Sequence, residues 1–374
     1  MIRRFAALAA AVAVLVGACS GSGPSPVATT ALSSSGAATP NGGPVTVTDA
    51  LGRQVSFASP PSRIAIVGKA AFVVADAVYL FPEASSRVVA LANMVQNRLA
   101  FIPVIDPTYS SKTILSDSAG AEQIASSNPD VVLMKSGNAD TLGKPLEAIG
   151  IKVVFLDFET PDQYTRDLET VGQLLGDHAR AQHLISFFEA QTSRVTTALT
   201  GLPDSQKPSV LLLYYSNKNG TVAFNVPPLS YIQSTEVQLA GGQPVWKDAQ
   251  LGSGWTTVNL EQIAAWNPDQ IYVVAYSGKT GDVVAGLRAS PDWQALRAVK
   301  QNAIYAFPGD YFSWDQPDPR WVLGLTWLAT KIHPGRFPGL SMDQEIRGFY
   351  RDLYGVDSTA YARDIEPRIS GDLP

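Results

Sequence analysis

Short apolar runs alternate with longer segments in which apolar residues recur at helical spacing. The runs predict buried strands at 64–67, 88–91, 131–134, 153–156, 210–214 and 270–274, and a polar–apolar alternation at 45–57 predicts a hairpin. Helical spacing covers 70–80, 161–175 and 178–199. Strands that alternate with helices are typical of parallel sheets with both faces covered, so we expect an α/β protein.

One nine-residue pattern occurs twice in the chain. Residues 122–130 read EQIASSNPD and residues 261–269 read EQIAAWNPD, identical at seven of nine positions, and each copy precedes a predicted strand. The copies lie too far apart for a solenoid repeat of about 20–50 residues. The repetition therefore predicts two similar α/β lobes with a cleft between them.

The helix predicted at 178–199 has one apolar face and lies between the two copies. We therefore expect two Rossmann-like lobes with mainly parallel sheets, joined by one long rigid helix, with the ligand cleft between the lobes. The predicted boundaries are 45–177 for the N-terminal lobe, 178–200 for the linking helix, 201–355 for the C-terminal lobe and 356–374 for a C-terminal tail. We expect a monomer.

The first 18 residues have the features of an export signal, with Arg3 and Arg4 before an apolar stretch that is too short to span a bilayer. The stretch leads into Cys19 through Leu-Val-Gly-Ala, which resembles a bacterial lipobox. The resemblance implies cleavage and acylation of Cys19, followed by a flexible tether over 19–44 that is rich in Ser, Gly, Ala, Thr and Pro. We expect an exported protein that is lipid-anchored to the outer face of the cytoplasmic membrane. A plain secretory signal with an incidental cysteine is the alternative.

The composition excludes several classes of function. A formal net charge of −5 argues against a nucleic-acid partner, which would require a basic face. One cysteine and three histidines allow neither a disulfide framework nor a His/Cys metal cluster. We therefore expect no structural metal and no cofactor.

Several motifs, taken in order, resemble the helix-linked class of ABC-transporter substrate-binding proteins, which handle siderophores, haem and cobalamin. They are TDALGR at 48–53, PSRI at 61–64, both nine-residue copies and the long linking helix. The resemblance implies that Glu122 and Glu261 dock on arginines of a permease. Both glutamates also suit the first turn of a helix, where they complement the helix dipole, and the two roles are compatible. The Pro-Asp pairs that close the copies are interpreted as structural.

The cleft should be lined by loops that leave the ends of the strands. The candidate ligand-binding residues are Lys69, Lys135, Tyr214, Trp255, Tyr276, Tyr311, Trp314 and Arg320. Cations together with aromatic rings suit an anionic, partly apolar ligand such as a ferric siderophore. Each aromatic residue also fits ordinary core packing, and each lysine fits a solvated surface.

We therefore expect a binding protein, not an enzyme, that delivers a metal complex to the permease and ATPase of an ABC importer. The alternatives are haem, cobalamin or an oxyanion such as molybdate or tungstate, because the run WDQPDPRW at 314–321 is unusual for siderophore binders. A chelatase-like enzyme on the same architecture is a further alternative. No acid–base pair, nucleophile elbow or complete phosphate loop supports that alternative, since Gly278-Lys279-Thr280 lacks the glycine that such a loop requires.

Overall fold

A computed structural model of the chain describes residues 42–94, 96, 100–249 and 252–373. The predicted signal peptide, the predicted lipidation site at Cys19 and nearly all of the predicted tether lie outside the described residues. Within the described part of the chain, no helix combines the length and the apolar character needed to cross a bilayer.

The N-terminal lobe begins with the predicted hairpin and continues into a parallel sheet. The five-stranded sheet has the order β5-β4-β3-β6-β7, and each neighbouring pair is parallel. Apolar residues fill β3, β4 and β6 almost without interruption because helices cover both faces of the sheet. In chain order the strands are β1 (Val45–Thr48), β2 (Gln54–Phe57), β3 (Ile64–Ile66), β4 (Val88–Ala92), β5 (Thr113–Leu115), β6 (Val131–Lys135) and β7 (Lys152–Leu156).

The helices of this lobe are short. They are α1 (Ala71–Val78), α2 (Ala84–Arg87), α3 (Ile102–Ile105), α4 (Ala121–Ala125) and α5 (Lys144–Ala148).

Two longer helices, α6 (Pro161–Leu175) and α7 (His178–Ala198), connect the two sheets. Thr160 caps α6 and Asp177 caps α7, each accepting a hydrogen bond from a backbone N–H of the first turn. Gly176 lies between them with φ 74°, a left-handed conformation that suits glycine. At about 1.5 Å per residue, the 21 residues of α7 span roughly 32 Å. The predicted long linking helix is therefore present.

The C-terminal sheet is mixed, with three parallel and two antiparallel strand pairings. Strand β8 pairs in parallel with β10 and β12, and β12 pairs in parallel with β13, whereas β9 runs antiparallel to both β8 and β11. The reason is a tight hairpin at Asn219-Gly220, where both residues have positive φ. The strands are β8 (Ser209–Lys218), β9 (Thr221–Val226), β10 (Gln243–Pro244), β11 (Thr256–Val258), β12 (Gln270–Val274) and β13 (Ile304–Ala306).

Helices cover the C-terminal sheet, and the chain then returns to the sheet edge. The helices are α8 (Ile232–Leu239), α9 (Leu260–Trp266), α10 (Thr280–Ala289), α11 (Pro291–Gln294), α12 (Arg297–Lys300), α13 (Trp321–Ile332), α14 (Met342–Tyr354) and α15 (Ser358–Ala360). The segment predicted as a C-terminal tail is folded: Gly309 and Ser370 form an antiparallel bridge beside the end of β13.

The two lobes contact each other at several points beside α7. Arg180 of α7 donates one hydrogen bond to the Leu80 carbonyl of the N-terminal lobe (2.8 Å) and one to the Leu353 carbonyl of α14 (2.6 Å). The rings of Phe72 and Phe312 stack across the lobes with centroids 4.7 Å apart. The predicted architecture of two α/β lobes joined by a helix is confirmed, and the exact domain boundaries stay a prediction.

Candidate ligand-binding site

The carboxyl ends of parallel strands in both lobes carry predicted site residues, as expected for ligand sites in α/β proteins. Lys69 follows β3 and Lys135 ends β6. The buried side chain of Asn138 connects these loops, because its amide donates to the carbonyls of Lys69 and Lys135 at 3.2 Å and its oxygen accepts from the Lys69 N–H at 2.9 Å. Gly68 has φ 92° and approaches Asn138 so closely that a side chain there would be strained.

The two predicted lysines differ in electrostatic environment. The Lys135 ammonium forms an ion pair with Glu159, and its side chain is largely buried. Lys69 is exposed and forms no ion pair with any residue that the structure describes. Lys69 therefore has a charge available to a ligand, whereas Lys135 already has a carboxylate partner.

Three predicted aromatic residues of the C-terminal lobe come together in one cluster. Tyr214 lies in β8, Trp255 directly precedes β11 and Tyr276 follows β12. The rings of Tyr214 and Tyr276 stack with centroids 4.5 Å apart, and the centroid of Trp255 lies 5.2 Å from that of Tyr214. We call these three residues the aromatic cluster; all are half-buried, so ring surface remains accessible.

The hydroxyl of Tyr276 points away from that accessible surface. It donates a 2.6 Å hydrogen bond to a carboxylate oxygen of the buried Asp315. Burial, together with the charge of Asp315, raises the pKa of Tyr276 well above its ordinary value. Tyr276 therefore offers a neutral ring face to a ligand, not a phenolate oxygen.

A cavity of about 880 Å³ adjoins the aromatic cluster. Its lining includes Tyr276 and Lys279 after β12, Phe312 and Ser313 after β13, and Arg368 of the C-terminal segment. Gln96 contributes from the N-terminal lobe and accepts a 3.0 Å hydrogen bond from the Ser313 N–H. The volume is in the range of sites for drug-sized organic ligands.

Three residues that the sequence predicts as ligand contacts lie in the interior of the protein. Trp314 is fully buried and donates through Nε1 to Asp310 (2.9 Å), and the Tyr311 hydroxyl donates to the Asp364 carbonyl (2.8 Å). Arg320 is also fully buried. Their binding role stays a prediction, and their burial argues against direct contact with a ligand.

Arg320 instead connects the lobes through buried carboxylates. Its guanidinium lies 2.6 Å from Asp76 of α1, 2.8 Å from Asp310 and 3.4 Å from Asp318. It also lies over the ring of Phe101, 4.2 Å from the centroid. Burial raises the pKa of Asp76 to about 6 and that of Asp318 to about 8, although Arg320 opposes both shifts. We call this group the Arg320 cluster.

The repeated motif has equivalent structures in the two lobes. Glu122 lies in the first turn of α4 and Glu261 in the first turn of α9, and both are exposed. Neither forms an ion pair within the described residues, and neither lines the cavity. The Asn259 side chain caps α9 by accepting from the Gln262 N–H at 2.8 Å.

Sequence reasoning missed part of the cavity. Arg368 and Ser370 line it from a segment that was expected to be a tail, and Lys279 belongs to a motif that was considered only as a phosphate loop. The signal for Lys279 was its position directly after a predicted strand. No sequence signal places Arg368 at the cavity, because its position depends on how the chain returns from α14.

Comparison with known proteins identifies the family. The periplasmic binding protein family matches residues 112–311, more than half of the chain. The molybdate-binding protein MolA of Haemophilus influenzae is 30% identical over 112 residues, which is 30% of each chain. The iron-uptake system-binding protein of Bacillus subtilis is 21% identical over 189 residues, 49% of this chain and 56% of that protein. The matches thus span 30% and 56% of the lengths of these two relatives.

Solved structures support the fold. A periplasmic solute binding protein from Veillonella parvula superposes with a TM-score of 0.68 at 23% identity, covering 86% of this chain and 97% of the other. The family match, the two α/β lobes and the single long helix between them lead to one conclusion. The chain belongs to the periplasmic binding protein family, in its helix-linked class.

Proposed function

We propose that the protein captures a ferric siderophore between its lobes and delivers it to an ABC importer. The observation that carries the proposal is the aromatic cluster of Tyr214, Trp255 and Tyr276 beside a cavity of about 880 Å³. Accessible ring faces favour a ligand with an organic, partly aromatic surface. The exposed cations at Lys69 and Lys279 favour a ligand with negative charge.

The same features argue against a bare oxyanion. A tetrahedral oxyanion is small and is held by a tight set of hydrogen-bond donors, whereas this cavity is large and has apolar walls at Phe307 and Phe312. MolA is named for molybdate and is a relative, so molybdate is the competitor that an experiment must include.

An enzyme on this architecture has less support. Acid–base chemistry requires titratable groups that reach the substrate. Burial raises the pKa of Asp76, Asp318 and Glu236, and these three carboxyls are fully buried and do not line the cavity. Their surroundings favour a structural role.

Isothermal titration calorimetry tests the ligand directly. Ferric enterobactin, ferrichrome, haemin, cyanocobalamin and sodium molybdate are each titrated into the protein. We expect saturable binding of a ferric siderophore, and Trp255→Ala should weaken it by about tenfold because stacking and burial are lost. Trp266→Ala, which removes a half-buried tryptophan of α9 that lies outside the aromatic cluster, is the matched control. Tight binding of molybdate without siderophore binding would refute the proposal.

We further propose that Glu122 and Glu261 dock on basic residues of the permease. Two exposed carboxylates at equivalent places in the two lobes favour one orientation on a basic partner.

We also propose that Cys19 is lipidated and keeps the protein near its importer. Cys19→Ser should release the protein from the membrane fraction and leave ligand affinity unchanged, since two acyl chains or more are what anchors such a protein firmly. Retention of the variant in washed membranes would count against lipidation.

A further inference from the structure

One wall of the cavity is built from the end of the described chain. Residues 367–370, which we call the C-terminal wall, line the cavity together with the loop after β12. The Ser370 N–H donates to the Gly309 carbonyl (2.9 Å), and the Gly309 N–H donates to the Ser370 carbonyl (3.1 Å). These backbone bonds attach the wall to the loop after β13.

Asp372, just beyond these residues, attaches the C-terminal wall to β13 and α13. An Asp372 carboxylate oxygen accepts from the Ala306 N–H of β13 (2.9 Å), and the Asp372 carbonyl accepts from the Trp327 indole (2.9 Å). Gly371 has φ 99°, and a Cβ there would lie 2.5 Å from the Pro308 Cα. The wall is therefore held at a defined distance from the sheet by contacts that tolerate little movement.

Among the residues that the structure describes, the charged ones that line this cavity are Lys279, Arg368 and Asp310. The carboxylate of Asp310 is already used inside the protein: one oxygen lies 2.8 Å from Nε of Arg320, and the other accepts from the Trp314 indole at 2.9 Å and from the Tyr350 hydroxyl. Its negative charge is paired within the Arg320 cluster. The charge left for a ligand is therefore that of the two cations.

Neither cation forms an ion pair with a residue that the structure describes, and both side chains are exposed. The Asp364 carboxylate forms an ion pair with Arg363, which lowers its pKa, and it interacts with the charge of Arg368 beyond ion-pair distance. Helix α10, with ten residues, begins at Thr280 directly beside Lys279, so its positive dipole end adds to the charge. Arg368 also lies near the phenol of Tyr311: burial raises the pKa of that phenol, and Arg368 acts in the opposite direction.

We infer that Arg368 and Lys279 form an anion-recognition subsite of the cavity, which binds the negatively charged groups of an organic polyanion. The two cations, which line the same cavity from two different segments of the chain, bind the anionic groups, while the ring of Tyr276 contacts the organic part. The inference rests on the proposed function and narrows it: the ligand is a polyanionic complex, such as a ferric catecholate or carboxylate, and not an uncharged one.

The first experiment compares two siderophores of different charge. The triply anionic ferric enterobactin and the uncharged ferrichrome are titrated into wild type, Arg368→Gln, Lys279→Gln and the charge-preserving Arg368→Lys. We expect each Gln variant to bind ferric enterobactin about tenfold more weakly and Arg368→Lys to retain most of the affinity. Higher salt should weaken wild-type binding more than it weakens binding by the Gln variants.

The control is Arg363→Gln, which removes an arginine of the same segment that is exposed, pairs with Asp364 and does not line the cavity. It should bind ferric enterobactin as wild type does. Equal affinity of wild type and Arg368→Gln would overturn the subsite while leaving the proposed function intact, because the complex would still bind. Preferential binding of ferrichrome would also overturn it.

A second measurement separates the subsite from the choice of siderophore. Mellitate, an aromatic polycarboxylate without a metal, is added to wild type and Arg368→Gln, and the melting temperature is recorded. We expect mellitate to raise the melting temperature of wild type and to leave that of the variant unchanged. That result would support the subsite even if no ferric complex bound, in which case the proposed function alone would fail. No effect of mellitate on wild type, together with no binding of ferric enterobactin, would overturn the subsite.

Discussion

At the scale of single residues, Arg320 has the least ordinary surroundings. One guanidinium and the carboxyl groups of Asp76, Asp310 and Asp318 are buried together, with the acids drawn from both lobes. Complete ionisation would leave excess negative charge in a medium of low dielectric constant. The raised pKa values of about 6 for Asp76 and about 8 for Asp318 show how the protein avoids this, since at neutral pH Asp318 is mainly protonated.

This protonation predicts how the stability depends on pH. A carboxyl whose pKa is higher in the folded than in the unfolded protein stabilises the fold fully below the unfolded value of 3.8, and the stabilisation is lost as pH rises through the folded value. The contributions of Asp76 and Asp318 should therefore fall between about pH 4 and pH 8. Asp318→Asn keeps the oxygen that accepts the Arg320 N–H bond and removes the titration.

We expect Asp318→Asn to become more stable relative to wild type as pH rises from 5 to 9. The difference in unfolding free energy should change by about 1 kcal/mol or more, measured by denaturant titration at both pH values. Asp292→Asn, at an exposed position, controls for the loss of any carboxylate. Stability curves that stay parallel for Asp318→Asn and wild type would show that this carboxyl does not titrate differently in the fold.

The residue scale also shows a limit of sequence reasoning. Lys69, Tyr214, Trp255 and Tyr276 were predicted because they follow or lie near strand ends, and the structure brings the three aromatic residues together in one cluster. Arg320 was predicted on the same kind of signal, but the sequence does not reveal that carboxylates distant in the chain surround it. An arginine in an Asp-Pro-rich loop looks the same whether its partner is a ligand or the protein.

At the scale of elements, the nine-residue repeat ends in an aspartate that fixes the start of a neighbouring strand. A carboxylate oxygen of Asp130 accepts from the N–H groups of Ser62 (2.8 Å) and Arg63 (2.9 Å), just before β3. Asp269 accepts from the N–H (2.8 Å) and hydroxyl (2.7 Å) of Ser209, at the start of β8. The structural role predicted for the Pro-Asp pairs is thus visible in both lobes.

Removing either aspartate should destabilise its lobe. We expect Asp130→Ala and Asp269→Ala each to lower the unfolding free energy by about 1–2 kcal/mol, because backbone donors lose a charged acceptor. Asp117→Ala, at an exposed position outside the repeat, should have little effect. Thermal denaturation followed by circular dichroism measures all three, and an Asp130→Ala variant as stable as Asp117→Ala would contradict the assignment.

The contribution of Asp130, in the first copy of the repeat, to the stability of the fold changes with pH in the opposite direction to that of Asp318. Partial burial raises the pKa of Asp130, but hydrogen bonds from Ser62 and Arg63 outweigh it and leave the pKa lowered. The contribution of Asp130 is therefore present above about pH 4 and is lost as pH falls further. The destabilisation caused by Asp130→Ala should shrink in acid.

Elements with strong local patterns were predictable, and elements defined by distant pairing were not. Helix α6 has the predicted bounds because Thr160, Pro161 and Gly176 mark its ends. Strands β5, β10 and β11 have two or three residues each and carry no periodic signal. The hairpin at Asn219-Gly220 had a recognisable turn signal that the analysis of apolar runs passed over.

At the scale of the whole molecule, the contacts between the lobes limit how far the cleft can close. Helix α7 joins the lobes, Arg180 donates to carbonyls of both, and the Tyr354 hydroxyl donates to the Asp76 carbonyl of α1 (3.0 Å). Closing the cleft by a large angle would break these contacts together.

We therefore expect a small conformational response to ligand. Small-angle scattering with and without the ferric complex should give radii of gyration that agree within roughly 1 Å. Arg180→Ala, which removes a connection between the lobes, should increase the difference. A large contraction of the wild-type protein would indicate a flexible hinge instead.

Docking on the importer is also a property of the whole molecule, since it uses both lobes at once. Replacing both Glu122 and Glu261 by Ala should leave ligand affinity within about twofold of wild type, because neither side chain lines the cavity. Uptake through the importer should fall strongly, and replacement by Arg should reduce it further, since charge pairs fix the orientation of the complex. Uptake of the labelled complex into vesicles that contain the importer measures this effect.

The control for docking is Glu169→Ala, which removes an exposed glutamate of α6 outside the repeat and should leave uptake unchanged. A double Ala variant that folds but no longer binds ligand would place the two glutamates at the ligand site. A double variant with normal uptake would show that docking uses other groups.

The C-terminal wall has a practical and an evolutionary consequence. An affinity tag attached close behind residue 370 would lie near the cavity, so binding data from such fusions would report the tag as well as the protein. In evolution, a few substitutions within residues 367–370 would change the charge of the cavity without disturbing either sheet. Ligand preference in this protein can therefore diverge through residues 367–370 while both sheets stay the same.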